Sequence, residues 1–398
     1  MWNYALNYIG SKLKLSQWIK EEVEKVVGDD LSGKTFCDMF AGTGIVGRTF
    51  KMDVKKVISN DLEYYSYALN KNYIENNIAI PAANDYIKIL NELPPIETGF
   101  IYQNYCMGSG SGRQYFSDEN GKKIDSMRAK IETWRESGTM SDILYYFLLA
   151  SLIESADKVA NTASVYGAFL KHVKKSALRE LVLAPAVFSK DSNTHKVFNR
   201  DANELIKEIS GDVLYLDPPY NQRQYSANYH LLNTISRYDD FVPKGKTGLR
   251  EYNRSNYCKK QSVYKSFEEL IQNADFEYIF LSYNNEGLMS KDKVQSIMQK
   301  YGKYSLVMKE YQRFKADKTE NRNHKADKTF EYLHVLRKKK KVDEDRGGFL
   351  SDKVSLCCEG KVSFIRDTQE IVCHKCHELL SPYHVVTGVE QKTFFSTW

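Results

Sequence analysis

The sequence predicts a doubly wound α/β sheet, and three observations lead to that prediction. A buried strand over residues 34–40 runs directly into a glycine turn. A second strand over 55–59 ends beside Asp61, and a third over 213–216 ends beside Asp217. Strands whose carboxyl ends carry glycine turns or acids are typical of open α/β sheets, in which ligands bind at that edge.

The remaining elements follow from the spacing of apolar residues. Apolar residues recur at helical intervals around 18–26, and helices are also expected over 45–50 and 64–73. Apolar runs predict further strands at residues 184–188, 278–281, 304–307 and 332–336.

The alternation of strands and helices breaks after residue 88. A polar helix near 123–134 and an apolar helix over 143–153 indicate a largely helical insert, and a charged, glycine-ended linker lies at 337–348. The expected parts are a catalytic domain of residues 1–88 and 195–340, an insert of residues 89–194, and a small C-terminal domain of residues 349–398.

Composition excludes two classes of protein. The seven cysteines form no secreted disulfide framework, which indicates a reducing cytoplasm. The longest apolar run, 143–153, is too short to span a bilayer.

The net charge of +6 is mild, and it removes the repulsion that an acidic protein would feel near phosphate.

Residues 217–220 read Asp-Pro-Pro-Tyr and carry the strongest chemical signal. The Asp217 carboxylate and the Pro218 carbonyl can accept both hydrogens of an exocyclic amino group, such as that of adenine. Two such acceptors localise the nitrogen lone pair and favour its attack on a methyl donor. Pro219 fixes the turn, and Tyr220 offers a flat face for a base. The alternative is an ordinary Pro-Pro turn with a capping Asp.

The glycine turn after the first strand predicts a close approach of the backbone to a ligand. Gly42 and Gly44 lack side chains, and Asp38 can meet an amino group of that ligand. Gly47 completes the G-x-G-x-x-G spacing, so a binding site for a nicotinamide or flavin cofactor is an alternative interpretation. No apparatus for hydride transfer follows in the chain.

Two further acids are candidates for contacts with a nucleoside. Asp61 fits the acid that binds both hydroxyls of a ribose, and Asp201 fits an acceptor for an adenine amino group. Either residue could instead cap the helix that follows it.

With Tyr8 and Lys12 in the segment YIGSK, the motifs resemble those of the Dam-like, alpha-group adenine-N6 DNA methyltransferases. The order YIGSK, FAGTG, insert and DPPY matches that family over roughly residues 1–340. The resemblance implies a Rossmann-like fold, S-adenosylmethionine as cofactor, an insert that recognises the target, and transfer to adenine N6 in double-stranded DNA after base flipping. It also implies that Tyr8, Lys12, Phe40, Gly42 and Asp61 line the cofactor pocket.

Within that family the chain looks more like the modification enzymes of restriction systems, so a cognate restriction endonuclease is an expected partner. Two other functions stay open. One is transfer to cytosine N4 in DNA or to an amino group in RNA. The other is nucleic-acid binding by an inactive methyltransferase fold, against which the intact Asp217, Gly42 and Gly44 argue.

Two basic regions are expected to touch DNA phosphates. One lies in the insert near polar loops, and the other is the segment 244–260, which interleaves six cationic residues with tyrosines. The alternative is a solvated surface loop. The predicted contacts are Arg113, Lys122, Lys123 and Arg128 in the insert, and Lys244, Lys246, Arg250 and Arg254 in the segment.

The C-terminal cysteines resemble a degenerate zinc ribbon. Cys373 and Cys376 form a C-x-x-C pair, but Cys357 and Cys358 are adjacent, so the usual first knuckle is missing. Structural zinc and four free thiols are both compatible with this pattern.

Overall fold

The computed structural model describes residues 11–312 and 328–339, together with five short strands between residues 349 and 387. The chain divides into two compact units, Met1–Arg337 and Lys338–Trp398.

Seven strands of the first unit form one sheet in the order β3-β2-β1-β4-β5-β7-β6. The strands from β3 to β5 run parallel, and β7 lies antiparallel to β5. The carboxyl ends of β1, β2 and β4 therefore meet at one edge, and the beginning of β7 reaches the same edge. The strands are β1 (Thr35–Asp38), β2 (Lys56–Asn60), β3 (Lys196–Phe198), β4 (Ser210–Leu216), β5 (Asp275–Asn284), β6 (Gly302–Gln312) and β7 (Lys328–Lys338).

Helices cover both faces of this sheet and build the insert. They are α1 (Ser16–Val27), α2 (Ile45–Phe50), α3 (Tyr64–Asn70), α4 (Ala83–Asn91), α5 (Phe100–Tyr105), α6 (Asp118–Glu136), α7 (Asp142–Val159), α8 (Ala202–Leu205), α9 (Tyr225–Asn228), α10 (His230–Arg237), α11 (Val263–Asn273) and α12 (Lys291–Gln299). A π-helical turn, Lys71–Glu75, follows α3, and 3₁₀ turns occupy Lys175–Leu178 and Asn256–Cys258.

The two long helices of the insert begin at serine caps. The Ser117 hydroxyl accepts the Asn120 amide, and the Ser141 hydroxyl accepts the Leu144 amide, which satisfies one free donor at each helix start. Helix α7 is apolar on nearly all sides because it is buried on nearly all sides. Its core is continuous with that of α3 and α10, so the insert shares a hydrophobic core with helices of the catalytic part.

The expected strand over residues 184–188 is wrong. This segment has no regular structure, because side chains of neighbouring helices satisfy its backbone. The Ala184 and Ala186 amides donate to the hydroxyls of Ser155 and Ser151, and the Ala186 carbonyl accepts from Asn72. The strand that follows the insert is β3 instead.

The second unit contains a five-stranded sheet in the order β11-β10-β9-β8-β12, with antiparallel pairing. Its strands are β8 (Phe349–Ser355), β9 (Lys361–Ile365), β10 (Glu370–Cys373), β11 (Leu379–Leu380) and β12 (Val385–Thr387). Throughout the described part of the chain, every helix is too short or too polar to cross a bilayer.

Candidate active site

The glycine turn after β1 folds around the Asp38 carboxylate. Oδ2 of Asp38 accepts the Gly47 amide at 3.1 Å, at the start of α2. Gly42 and Gly44 have φ values of 52° and 77°, a region that residues with a Cβ rarely occupy. A Cβ on Gly44 would also lie 2.6 Å from Oδ1 of Asn70, so this turn requires glycine there.

Asp61, at the end of β2, joins the same turn. Its Oδ2 accepts the Gly42 amide at 2.8 Å, and its Oδ1 accepts the Glu63 amide at 2.9 Å. Helix α3 begins at Tyr64 without a side-chain cap, so Asp61 is not the helix cap that was its alternative role. Burial raises the pKa of Asp61 to about 7.

Asp217 and the two prolines follow β4 at the same sheet edge. The Asp217 side chain is 18% exposed, so it remains reachable from the pocket. Among the described residues the Pro218 carbonyl accepts no hydrogen bond. The carbonyl of Tyr220 accepts the Leu288 amide at 2.9 Å, which fixes the end of the turn against the segment after β5.

Asp217 is held by a buried ion triad that the sequence did not predict. The Lys12 ammonium lies 2.9 Å from Oδ1 of Asp217 and 3.2 Å from Oε1 of Glu331 on β7. Burial raises the pKa of Asp217 to about 6, and the positive charge of Lys12 opposes that rise. Burial acts to lower the pKa of Lys12, but the neighbouring carboxylates raise it well above its ordinary value.

These residues surround a pocket of about 980 Å³, counting the space open to solvent. Gly44, Pro218 and Tyr220 support the pocket without lining it, and Tyr8 lies outside the described residues. The lining includes eight of the residues predicted from sequence: Lys12, Asp38, Phe40, Gly42, Asp61, Asp201, Asp217 and Pro219.

One part of the pocket wall was missed from sequence. Ser255 and Tyr257 line it, although they belong to the segment expected to bind DNA, and Tyr225 and Ser226 line it five and six residues beyond Tyr220. The Tyr257 ring meets the Phe40 ring edge-on, with 5.0 Å between centroids. The available signal was the group of tyrosines close to the Asp-Pro-Pro-Tyr motif.

Acidic side chains outnumber basic ones in the pocket lining. Five lining carboxylates face two lining cations, Lys12 and Arg200, and Arg200 is itself paired with Glu208. Oδ1 of Asp38 is buried and has no hydrogen-bond partner among the described residues. Burial raises the pKa of this carboxyl to about 8. A ligand with a positive charge, and with an ammonium group near Asp38, would satisfy this site.

Asp201 has a structural role at the pocket rim. Its Oδ1 accepts the amides of Asn203 and Glu204, so it caps α8. Asp201 also lines the pocket, so the predicted contact with an adenine amino group is compatible with its position and stays a prediction.

Most of the cations predicted to bind DNA have partners within the chain. Arg128 is buried and donates to the Ile235 carbonyl, so its predicted phosphate contact is wrong. Lys246 and Arg254 are exposed, and neither has an ion pair within the described ranges. The paired residues are Arg113 with the carbonyls of Asn104 and Gly245, Lys122 with Glu97, Lys123 with Glu180, Lys244 with Glu251, and Arg250 with Asp239.

A second, polar pocket adjoins the first and shares Leu62, Glu63 and Ser226 with it. Arg237 and Arg250 line it. The Arg237 guanidinium lies over the Tyr64 ring at 4.9 Å from its centroid.

Of the four predicted zinc ligands, only Cys373 is described, and it is buried on β10. Cys357, Cys358 and Cys376 lie outside the described residues. Within the part of the chain that the structure covers, no three His, Cys, Asp or Glu side chains are grouped as metal ligands.

Comparison with known proteins gives one family and several relatives. Residues 8–297 match the family model for D12 class N6 adenine-specific DNA methyltransferases. The type II methyltransferase M.NlaIII of Neisseria lactamica is 66% identical over 333 residues, which cover 84% of this chain and 99% of that protein. M.CviAII of Paramecium bursaria Chlorella virus 1 is 40% identical, over 75% of this chain and 89% of that protein. M.FokI of Planomicrobium okeanokoites is a longer protein and is 41% identical; the matched region covers 75% of this chain and 47% of that protein.

Proposed function

The chain belongs to the D12 class N6 adenine-specific DNA methyltransferases, and from that membership we propose which residues perform the transfer. The chain methylates the N6 amino group of adenine in DNA at specific sequences. The observation that carries the assignment of residues is that Asp217 lines the acidic pocket, while the carbonyl of the adjacent Pro218 accepts no hydrogen bond among the described residues.

The pocket suits S-adenosylmethionine. Its lining carries more acidic than basic side chains, which matches a ligand with a net positive charge. The unpartnered Oδ1 of Asp38 would accept the ligand's ammonium, and Asp61 would accept the ribose hydroxyls. Tyr8, Phe40 and Gly42 would complete the contacts, with Asp201 near the adenine ring.

When bound, S-adenosylmethionine supplies an electrophilic methyl group on sulfur. Asp217 accepts one hydrogen bond from the target amino group, and the Pro218 carbonyl accepts the other. Both acceptors favour the tetrahedral nitrogen of the transition state over the flat nitrogen of the free base. The Asp217 carboxylate also stands where it can take the proton that the nitrogen must release after transfer.

A paired adenine cannot reach Asp217 inside a duplex, so we propose that the base is flipped out of double-stranded DNA. Tyr220 provides the face on which the flipped base stacks, since its backbone is fixed by Leu288. The second pocket, with Arg237 and Arg250, adjoins the first at Leu62, Glu63 and Ser226, and there we place the neighbouring backbone phosphates.

The similarity to type II methyltransferases favours a role in restriction and modification, with a cognate endonuclease as partner and the cytoplasm as location. Cytosine N4 and RNA remain the alternative substrates to be excluded. The purified protein should be incubated with unmethylated plasmid DNA and methyl-labelled S-adenosylmethionine, and the DNA then digested to nucleosides. The label should appear only in N6-methyl-2′-deoxyadenosine, and label in N4-methyl-2′-deoxycytidine would overturn the assignment of the base.

Structural zinc in the C-terminal domain stays a proposal that depends on the sequence pattern alone. It names Cys358, Cys373 and Cys376, with Cys357 or His377 as the fourth ligand. Elemental analysis of protein purified without chelators should find about one zinc per chain. Protein without zinc would end this proposal.

A further inference from the structure

Glu331 is a buried carboxylate to which the proposed mechanism assigns no role. It lies on β7 opposite Asn284, on the strand face that it shares with Leu333 and Val335. Its Oε1 accepts the Ser282 hydroxyl and lies 3.2 Å from the Lys12 ammonium. A charge on an apolar strand face is costly unless it is paired, so this placement calls for a reason beyond packing.

The triad of Lys12, Asp217 and Glu331 has a net charge that depends on Glu331. One ammonium stands between two carboxylates, which leaves a net charge of −1 beside the pocket. Lys12 and Asp217 alone would form a neutral pair.

The reaction requires that negative charge. As the bond from N6 to the methyl carbon forms, the bond from carbon to sulfur breaks and its electron pair goes to sulfur. Positive charge therefore moves from sulfur to N6 until the nitrogen releases a proton. A fixed negative charge beside N6 stabilises this transition state, and the bare charge of Lys12 would oppose it.

We infer that Glu331 is a positioning residue for methyl transfer, which offsets the charge of Lys12 and holds its ammonium on Oδ1 of Asp217. Oδ2 of Asp217 is thereby left to accept the target amino group. This inference rests on the proposed role of Asp217.

The pH profile separates this role from a purely structural one. The negative charge of Glu331 raises the pKa of Asp217, whereas Lys12 lowers it. Removing Glu331's charge should therefore move the acidic limb of the kcat profile to lower pH, and removing Lys12 should move it to higher pH. The other titratable groups that face Asp217 are Tyr215, Tyr220, Tyr225 and Asp38, and they are unchanged in both variants.

The first test is Glu331→Gln in the full chain. Glutamine keeps the shape and can accept the same two hydrogen bonds, so the KM for S-adenosylmethionine should stay within about twofold. The kcat should fall about 10- to 100-fold, less than for a group that touches the reacting atoms. Glu331→Asp, which keeps the charge, should retain most of the kcat.

Glu277→Gln is the matched control. Glu277 pairs with Arg337 at 3.1 Å at the other end of the same strand pair, far along β5 from the pocket. This variant loses the same charge from the same two strands, and its kcat should equal that of the wild type.

The double variant Lys12→Met/Glu331→Gln gives the decisive test of the inference. It leaves a net charge of −1 on Asp217 alone once the pH exceeds the raised pKa of that carboxyl, so its kcat on the plateau above the acidic limb should exceed that of Glu331→Gln. Wild-type kcat in Glu331→Gln, or a double variant no faster than Glu331→Gln, would overturn the inference. A wild-type protein that makes no N6-methyladenine would instead overturn the proposed function.

Discussion

The backbone amide of Gly42 donates to Oδ2 of Asp61 at 2.8 Å, so the glycine turn after β1 and the acid after β2 form one unit. Oδ1 of the same carboxylate accepts the Glu63 amide. Each oxygen keeps a further lone pair, so Asp61 can shape the turn and still accept the two hydroxyls of a ribose.

Asp61→Asn should weaken the binding of S-adenosylmethionine about 10- to 100-fold, because charge-assisted hydrogen bonds disappear and an NH₂ group then faces a backbone amide. Isothermal titration calorimetry measures the change. Asp212→Asn is the control, since Asp212 accepts the Thr35 amide at the opposite end of β1. The control should lower thermal stability without altering affinity, and equal affinity in both variants would contradict the role of Asp61.

Binding of S-adenosylmethionine should release a proton from Asp38. The pKa of this carboxyl is about 8 in the free protein, so the group is mostly protonated at pH 7. The ligand's ammonium favours the carboxylate, so affinity should rise as the pH increases from about 6 toward 8. Calorimetry in two buffers of different ionisation enthalpy measures the release at pH 7.

Asp38→Asn is the comparison for this linkage. This variant should release about one half to one proton fewer than the wild type on binding the ligand. Protons released by the ligand itself and by Asp61 are the same in both proteins, so the difference reports on Asp38. The same release in both proteins would show that the ammonium does not meet Asp38.

Lys246 and Arg254 are the predicted DNA-binding cations that have no ion pair within the described residues. Alanine at either position should reduce the slope of log affinity against log salt by about one, because the variant neutralises one phosphate fewer. Fluorescence anisotropy with duplex DNA at several salt concentrations measures the slope. Lys265→Ala, on α11 and near Glu269, should leave it unchanged. A slope unchanged in both segment variants would remove the segment from the DNA interface.

Tyr220 is expected to stack on the flipped base. Tyr220→Phe keeps the face and should retain most of kcat/KM, whereas Tyr220→Ala should lose about 1–3 kcal/mol of base stacking. Steady-state kinetics on one duplex substrate compares them. Equal losses in both variants would indicate a role for the hydroxyl group instead.

The sequence predicted the parts of the site that depend on local signals. A glycine turn, or an acid that follows a strand, can be recognised from a few consecutive residues. The motifs place four such residues at one sheet edge, as predicted: Asp38, Gly42, Asp61 and Asp217. Parallel strands bring their carboxyl ends together whatever the chain does in between.

What the sequence could not predict depends on long-range pairing. Glu331 meets Lys12 only because β7 inserts beside β5 and runs antiparallel to it. The partners of the basic residues could not be predicted for a similar reason, because a charge run does not reveal which residues it will pair with. Arg250, for example, is paired with Asp239, and Arg128 is buried against α10.

Asp217 is the residue on which the proposed transfer depends most directly, and single-turnover transfer by Asp217→Asn tests it. The rate of methyl transfer to adenine should fall at least about 100-fold, since asparagine can neither carry the negative charge nor take the proton. Affinity for S-adenosylmethionine, measured on the same preparation, should stay within about threefold, because Asp38 and Asp61 would supply the main contacts. An Asp217→Asn protein that keeps most of the wild-type rate would contradict the proposed role of Asp217.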